Sequence, residues 1–227
     1  MSIVYLLTLK TQLIMGVAYQ GIYGNFVNKV GNVVGRIRRG EQTYSIYQRS
    51  VTQPDTNSQM SQRALFTLIT QFVATMGSWF EIFGESISKV GQTAYNAIFS
   101  LIFREKPFSG TYPNQTLNYT KVKIASGALD LPYDLVANVD GADIVVNWTD
   151  NSDLGNGKPE DDMCFFVYNE VKKAGLCVMS GAKRVDAATT LTIPSSWNTD
   201  ALHVWTACKR DDDSVVSDSF YLGSFTI

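Results

Sequence analysis

The sequence predicts an α+β fold in which a β-hairpin and two helices precede a β-sandwich. Residues 33–50 alternate between apolar and polar side chains around a glycine turn, which indicates a hairpin. Apolar residues then recur at helical spacing between 56 and 103. From Phe108 onward, short strand-like runs alternate with turn residues. We therefore expect two domains, a hairpin-helix attachment or assembly region at 1–107 and a sandwich at 108–227.

Charge is distributed unevenly along the chain, although the formal net charge is only −2. Basic residues outnumber acidic ones between 16 and 66, whereas between 140 and 162 seven acidic residues accompany a single base, Lys158. This asymmetry predicts two surfaces with different partners, or two copies that meet head to tail. The hydrophobic content of 45% excludes wholesale disorder.

Residues 1–14 are apolar but do not fit a signal peptide, because no basic segment precedes the apolar run and Lys10 interrupts it. No window of the chain has the length of apolar sequence that crossing a bilayer requires. We expect the natural start at Met15, with 1–14 as a start-site extension or an extra strand, and no membrane partner.

The predicted hairpin has two different faces. Side chains alternate along residues 33–38, so one face carries Val33, Gly35 and Ile37 and the other carries Val34, Arg36 and Arg38. Gly40 allows a tight turn, because glycine adopts positive φ without steric cost. Residues 43–50 return as the second strand, which is rich in β-branched and aromatic residues.

Basic residues around this hairpin form the first candidate interaction site: Lys29, Arg36, Arg38, Arg39, Arg49 and Arg63. Three interpretations are open, namely a solvated strand face, contact with nucleic-acid phosphates, and an ion-paired protein interface. We favour the protein interface over nucleic acid, since Tyr44 and Tyr47 fall on opposite faces and cannot both stack on bases.

Two helices are predicted next. Thr56 and Gln59 have the spacing of a capping box, and the apolar stripe that follows ends near Gly77. A second helix is expected at 91–103, and the linker between the helices is strongly apolar. These segments supply the second candidate interaction surface, buried in this chain or against another subunit: Trp79, Phe80, Phe83, Tyr95 and Phe99.

Eight strands are expected in the C-terminal half, near 119–125, 134–139, 142–149, 164–170, 175–179, 188–193, 202–208 and 216–226. Many short strands without a helical period are typical of a β-sandwich.

The residues that could carry catalysis are sparse. His203 is the only histidine, and its apolar neighbours indicate a structural position in a strand. Cys164, Cys177 and Cys208 are widely spaced, which predicts buried reduced thiols rather than disulfides or a zinc site. We therefore expect no cofactor and no enzymatic activity.

An acidic loop at 150–162 is the one weak metal candidate. Its oxygen-rich side chains include Asp150, Asp153 and Asp161, which could hold calcium. The spacing differs from an EF-hand, because Leu154 occupies a ligand position. Asn, Asp and Gly are also the residues favoured in turns, so the composition of this segment does not require a metal, and we favour a solvated acidic loop.

Four runs of the C-terminal half resemble a fibronectin type III or immunoglobulin-like module: 144–148, 165–168, 190–194 and 203–207. The resemblance lies in an early strand with Trp148 and in a Leu-x-Ile-Pro sequence that ends at Pro194. It implies an immunoglobulin-like sandwich.

A second resemblance covers most of the chain after residue 15. The sequence KVGNVVG at 29–35, the helix opening from Pro54 to Phe66, and the late Tyr-Leu-Gly at 221–223 occur in this order. Together they resemble a group of uncharacterised proteins from phages and prophages of Bacteroidota. This context implies a virion or assembly protein.

The leading hypothesis is therefore a non-enzymatic structural protein of a phage capsid or tail, located in the virion. Its N-terminal region would bind other virion proteins or further copies, and the sandwich would be displayed. The alternatives are a nucleic-acid-binding accessory protein that acts through residues 29–49, and a host-directed binding module.

Overall fold

The computed structural model describes residues 17–18, 24–38, 40–48, 55–152 and 154–227. The chain forms two compact units, Met1–Pro54 and Asp55–Ile227. The α+β class is confirmed, since an N-terminal antiparallel sheet and helices precede a sheet-rich region. Residues 1–14 lie outside the described part of the chain.

An antiparallel sheet makes up the described part of the first unit. Its strands are β1 (Val17–Ala18), β2 (Phe26–Val30), β3 (Val33–Arg38) and β4 (Glu41–Ile46), in that order across the sheet. The predicted hairpin is β3–β4. Gly31 and Gly40 lie in the two turns with φ of +60° and +82°, where a side chain would be strained.

Gly35 has a different role, because an aromatic ring covers it. A Cβ at this position would collide with the carbonyl oxygen of Phe26 and lie 2.9 Å from the Phe26 ring. The ring of Tyr44, which is paired with Gly35 across the strands, lies 5.0 Å from the Phe26 ring. Two glycines of the KVGNVVG sequence are thus explained, one by a turn and one by close packing.

The second unit begins with helices. Helix α1 (Asn57–Val73) has the predicted capping box: the Thr56 hydroxyl accepts from the Gln59 amide at 3.3 Å, and the Thr56 amide donates to the Gln59 side chain at 3.0 Å. The helix ends before Gly77, which lies in the following turn. A π-helical turn at Phe80–Gly84 and α2 (Glu85–Ile87) then lead to α3 (Ala94–Glu105).

Short strands β5 (Phe108–Ser109) and β6 (Thr116–Leu117) pair after α3, and seven longer strands follow. These are β7 (Tyr133–Asp140), β8 (Asp143–Thr149), β9 (Asp162–Asn169), β10 (Ala174–Lys183), β11 (Ala188–Thr192), β12 (Ala201–Lys209) and β13 (Phe220–Thr226). They form two antiparallel sheets, β11-β8-β7 and β10-β9-β12-β13. One sheet has three strands and the other has four, and the chain crosses between them after β8, β10 and β11, which gives an immunoglobulin-like sandwich.

The predicted strand at 119–125 is wrong. Residues Tyr119–Lys121 form a 3₁₀ turn, and the segment after it joins no sheet. Its backbone is bonded by side chains instead, since the indole nitrogens of Trp205 and Trp79 donate to the carbonyls of Val122 and Ile124 at 3.1 and 3.0 Å. Alternating burial of this segment mimics a strand in the sequence.

Strands β9 and β12 are buried on both faces. One face packs in the sandwich core with Trp148, whose indole donates to the Arg184 carbonyl at 2.7 Å. The other face packs against the helices, where Phe72 of α1 lies 4.9 Å from Tyr168 and 5.6 Å from Trp205. The boundary expected at 107/108 therefore falls inside one compact unit, because helices and sandwich share a core.

Candidate functional site on the N-terminal sheet

The strand register gives the N-terminal sheet a basic face. Lys29 lies opposite Val34, and Arg36 and Arg38 alternate with Gly35 and Ile37 along β3, so the three cations share one side. All three side chains are exposed and contribute to a recess of about 940 Å³. We call this side the basic face.

Tyr47 lies beneath one of these cations. The ammonium of Lys29 is 3.5 Å from the centroid of the Tyr47 ring, a favourable cation–π geometry. Arg38 is paired across the strands with Glu41, which is the acidic residue of this face. The described part of the basic face therefore carries three positive charges and one negative charge.

The opposite side of the sheet is apolar, and we call it the apolar face. Register pairs place five large exposed side chains there: Val30, Val33, Ile37, Tyr44 and Ile46. Ile46 is 78% exposed and Ile37 is 54% exposed. In residues 24–38 and 40–48, the one buried residue is Gly35. These strands thus bury no side chain completely.

The six basic candidates are divided by the structure. Lys29, Arg36 and Arg38 share the basic face, whereas Arg39 and Arg49 lie outside the described residues. Arg63 lies on α1 in the second unit, where it is exposed and pairs with Asp55. A contiguous basic surface is therefore shown for three of the six.

The apolar candidates belong mainly to the core of the second unit. Trp79 and Phe83 are fully buried and stack with ring centroids 4.2 Å apart, so of the two alternatives these residues are buried in this chain. The π-helical turn directs them inward onto the sheet. Phe80 packs on Tyr95 at 5.6 Å, and Phe99 packs on Phe66 at 5.2 Å. Phe80, Tyr95 and Phe99 are partly buried and pack against the same core, whereas Phe66, which sequence reasoning did not select, is 43% exposed.

The acidic loop does not assemble the predicted calcium ligands. Asp161 is buried and accepts from Arg184 at 3.2 Å. Asp150 accepts from the amide of Ser152 at 3.0 Å, which is turn chemistry. Asp153 lies outside the described residues, and among those described no three acidic, histidine or cysteine side chains are grouped as metal ligands.

Arg184 holds this loop in place, and sequence reasoning missed it. The side chain is fully buried and donates to the Asn151 side chain and the Asp130 carbonyl, both at 2.7 Å, as well as to Asp161. The three partners are a side-chain amide, a backbone carbonyl and a carboxylate, and they come from three separate segments. A buried arginine with charge-assisted bonds is a structural anchor here.

His203 lies in an aromatic cluster. Its Nδ1 is 2.8 Å from the Tyr221 hydroxyl, and the Tyr119 ring stacks on it at 3.9 Å. Burial lowers the pKa of His203, and Glu170, 3.5 Å from Nε2, partly opposes this shift. Burial likewise raises the pKa of Tyr168 to about 12. The geometry is that of a packed strand residue.

The three cysteines are free, as expected. Burial raises the pKa of Cys208 to about 12 and also raises the pKa values of Cys164 and Cys177. Since the thiolate is the reactive form, these thiols are poor nucleophiles.

A family model described as "Family of unknown function (DUF6266)" matches residues 22–223. The chain belongs to this family. The DUF6266 match spans both compact units and therefore includes the basic face, the apolar face and the Arg184 anchor. No curated protein and no solved structure matches the chain. None of the helices described in this DUF6266 chain is long and apolar enough to cross a membrane.

Proposed function

We propose that this chain is a non-enzymatic structural or assembly protein of a bacteriophage particle. The N-terminal sheet attaches it to other virion proteins or to further copies, and the sandwich is displayed. The observation that carries the proposal is the apolar face, which has five large exposed side chains on a sheet whose one buried residue in 24–38 and 40–48 is Gly35.

An exposed apolar sheet face of this kind favours association with another protein surface that covers it. Small sheets gain independent stability only when one face packs against something. Burying the remaining exposed half of each large apolar side chain contributes roughly 1 kcal/mol. Five such side chains on one face therefore supply enough free energy to drive association, and their contiguity distinguishes them from scattered surface residues.

The second unit suits display, because it contains its own extensive core. Both faces of β9 and β12 are covered within Asp55–Ile227. The particle context rests on the resemblance of KVGNVVG and the capped helix opening to phage and prophage proteins of Bacteroidota. Gly31, Gly35 and the Thr56–Gln59 capping box give these two motifs definite structural roles.

Mass spectrometry of purified particles tests this function. Particles are prepared from the strain that carries the gene, banded by density, and compared with the soluble lysate. We expect peptides of this chain to be enriched in the particle band in fixed ratio to the major virion proteins. Peptides that occur in the lysate and are absent from the particles would refute the proposal.

Nucleic-acid binding is the second candidate, because three cations and Tyr47 share the basic face. If these cations bind phosphates, the logarithm of DNA affinity falls with the logarithm of salt concentration, by about 0.9 for each phosphate neutralised. We expect little or no DNA binding, since the described face offers one tyrosine and Lys29 already covers it. Tight, salt-dependent binding of DNA by the unaltered chain, lost in Arg36→Ala/Arg38→Ala, would make nucleic-acid binding the first candidate function.

A further inference from the structure

Lys29, Arg36 and Arg38, the cations of the basic face, form no ion pair with any described residue. Glu41 offsets one of the three charges by its position across from Arg38. An excess of positive charge therefore faces outward from a sheet surface that also presents the apolar atoms of Val27, Val34 and Tyr47 in its recess.

A second sheet surface carries the opposite charge. Strands β7, β8 and β11 contain no lysine or arginine, and none of the acids on or beside them forms an ion pair with a described residue. These acids are exposed or half-buried: Asp134, Asp140, Asp143, Asp150 and Asp186. Asp140 and Asp143 are paired across the strands on the outward side of the sheet, and Asp134 accepts from Thr149 on that side. We call this side of the three-stranded sheet the acidic face. The bases closest to Asp186 in the sequence are engaged elsewhere, since Lys183 pairs with Asp162 and Asp211 and Arg184 is buried on Asp161.

Acids near the other sheet are neutralised. Asp162 pairs with Lys183 and Lys209 at 2.9 Å each, and Asp218 pairs with Lys123 at 2.7 Å. Within the seven long strands, the acids without an ion pair to a described residue are Asp134, Asp140 and Asp143, and all three lie on the three-stranded sheet. The helices cover the other sheet.

We infer that the basic face of one copy binds the acidic face of a second copy. This inference rests on the proposed function and names a partner for it. Charge complementarity carries it, since each face has an excess of one sign with no internal partner. Both are sheet surfaces with apolar atoms among the charges; on the acidic face Tyr133 and Val136 are 53% and 51% exposed.

The two faces belong to different surfaces of the chain, so the contact either closes reciprocally within a pair or is heterologous. A heterologous contact leaves one free basic face and one free acidic face at the ends of each pair, and it repeats into a ring or a filament. This is the behaviour required of a protein that adds many copies to a particle. Nucleic acid is the competing occupant of the basic face, and it leaves the acidic face without a partner.

Charge reversal tests the contact on the purified full chain at low salt, by sedimentation velocity over a range of concentrations. Lys29→Glu/Arg36→Glu makes the basic face acidic, and Asp134→Lys/Asp140→Lys makes the acidic face basic. Each variant alone brings like charges together, so we expect its self-association to weaken by roughly 100-fold or more. An equimolar mixture restores complementary faces, and we expect association within about tenfold of the unaltered protein.

Lys89→Glu/Lys121→Glu is the matched control. It makes the same change in net charge at exposed residues outside both faces, and it should associate like the unaltered chain. Circular dichroism melting confirms that every variant is folded. The pair Lys29 and Arg36 is chosen because neither lies opposite Glu41, so reversal places no like charges across the strands.

Three results would overturn the inference: an unaltered chain that is monomeric at every salt and protein concentration, single variants that associate normally, or a mixture that fails to recover. DNA binding lost in Lys29→Glu/Arg36→Glu with self-association unchanged would assign the basic face to nucleic acid. The test uses purified protein only. Absence of the chain from particles would therefore refute the proposed function while leaving this result in place.

Discussion

Replacing Trp79 with alanine should destabilise the monomer strongly. The side chain is fully buried, stacks on Phe83 at 4.2 Å, and donates its indole hydrogen to the Ile124 carbonyl at 3.0 Å. Removing a large buried aromatic costs about 3–5 kcal/mol. The Ile124 carbonyl then loses a partner in a buried position, which adds about 1 kcal/mol or more. We therefore expect a loss of about 4 kcal/mol or more in the free energy of unfolding.

Urea unfolding monitored by circular dichroism measures this loss. With a slope of about 2 kcal/mol per molar urea, the midpoint should fall by about 2 M. Trp79→Phe keeps an aromatic ring and loses the hydrogen bond, so its effect should be intermediate. Phe220→Ala alters a 47% exposed side chain and should change the free energy by about 0.5 kcal/mol or less.

An unchanged midpoint in Trp79→Ala, accompanied by dissociation of an oligomer, would contradict this reasoning. It would show that Trp79 contributes to contacts between subunits, as the sequence suggested, and that it does not support the core of its own chain.

Three further predictions concern other parts of the chain. Arg184→Met should lower the free energy of unfolding by about 3 kcal/mol in thermal melts, because the buried Asp161 keeps only the longer ion pair with Arg210 at 3.7 Å. Asp161→Asn added to it should recover part of the loss. Gly35→Ala should speed hydrogen exchange in β2–β4, because the added Cβ collides with Phe26, and it should leave the melting of the second unit unchanged. Slow exchange in all three strands of the variant would contradict this prediction. Burial lowers the pKa of His203, so this residue should titrate below pH 6.5 in proton NMR. Its contribution to the free energy of unfolding is then complete above pH 6.5 and is lost as the pH falls through the folded pKa. His203→Gln should remove that part of the pH dependence.

Local signals in the sequence predicted the first elements well. The spacing of Thr56 and Gln59 determines the start of α1, because a capping box depends only on nearby residues. Alternation likewise placed Arg36 and Arg38 on one face of β3. The apolar face was also present in this pattern, through Val33 and Ile37, but alternation alone does not tell which face is covered.

Tertiary packing explains the errors. The runs at 164–168 and 203–207 are mostly apolar, with little alternation between apolar and polar residues, which is typical of strands that are covered on both faces. This pattern could have predicted that the helices pack against the outer side of the sheet that contains these strands. The sequence predicted that Trp79 and Phe83 are buried but left open whether this chain or another subunit covers them, because nothing in a linear sequence identifies the covering sheet. Arg184 was missed for a similar reason, since its partners Asn151 and Asp130 lie far from it in the sequence.

Incorporation into particles tests the central claim most directly. The full chain and a fragment of residues 55–227, which keeps the whole second unit, are produced with the same C-terminal tag in the strain that makes the particles. Copies of each per particle are then counted by mass spectrometry. We predict that the fragment is folded in the lysate and absent from particles, whereas the full chain is incorporated. Equal incorporation of the two would contradict attachment through the N-terminal sheet.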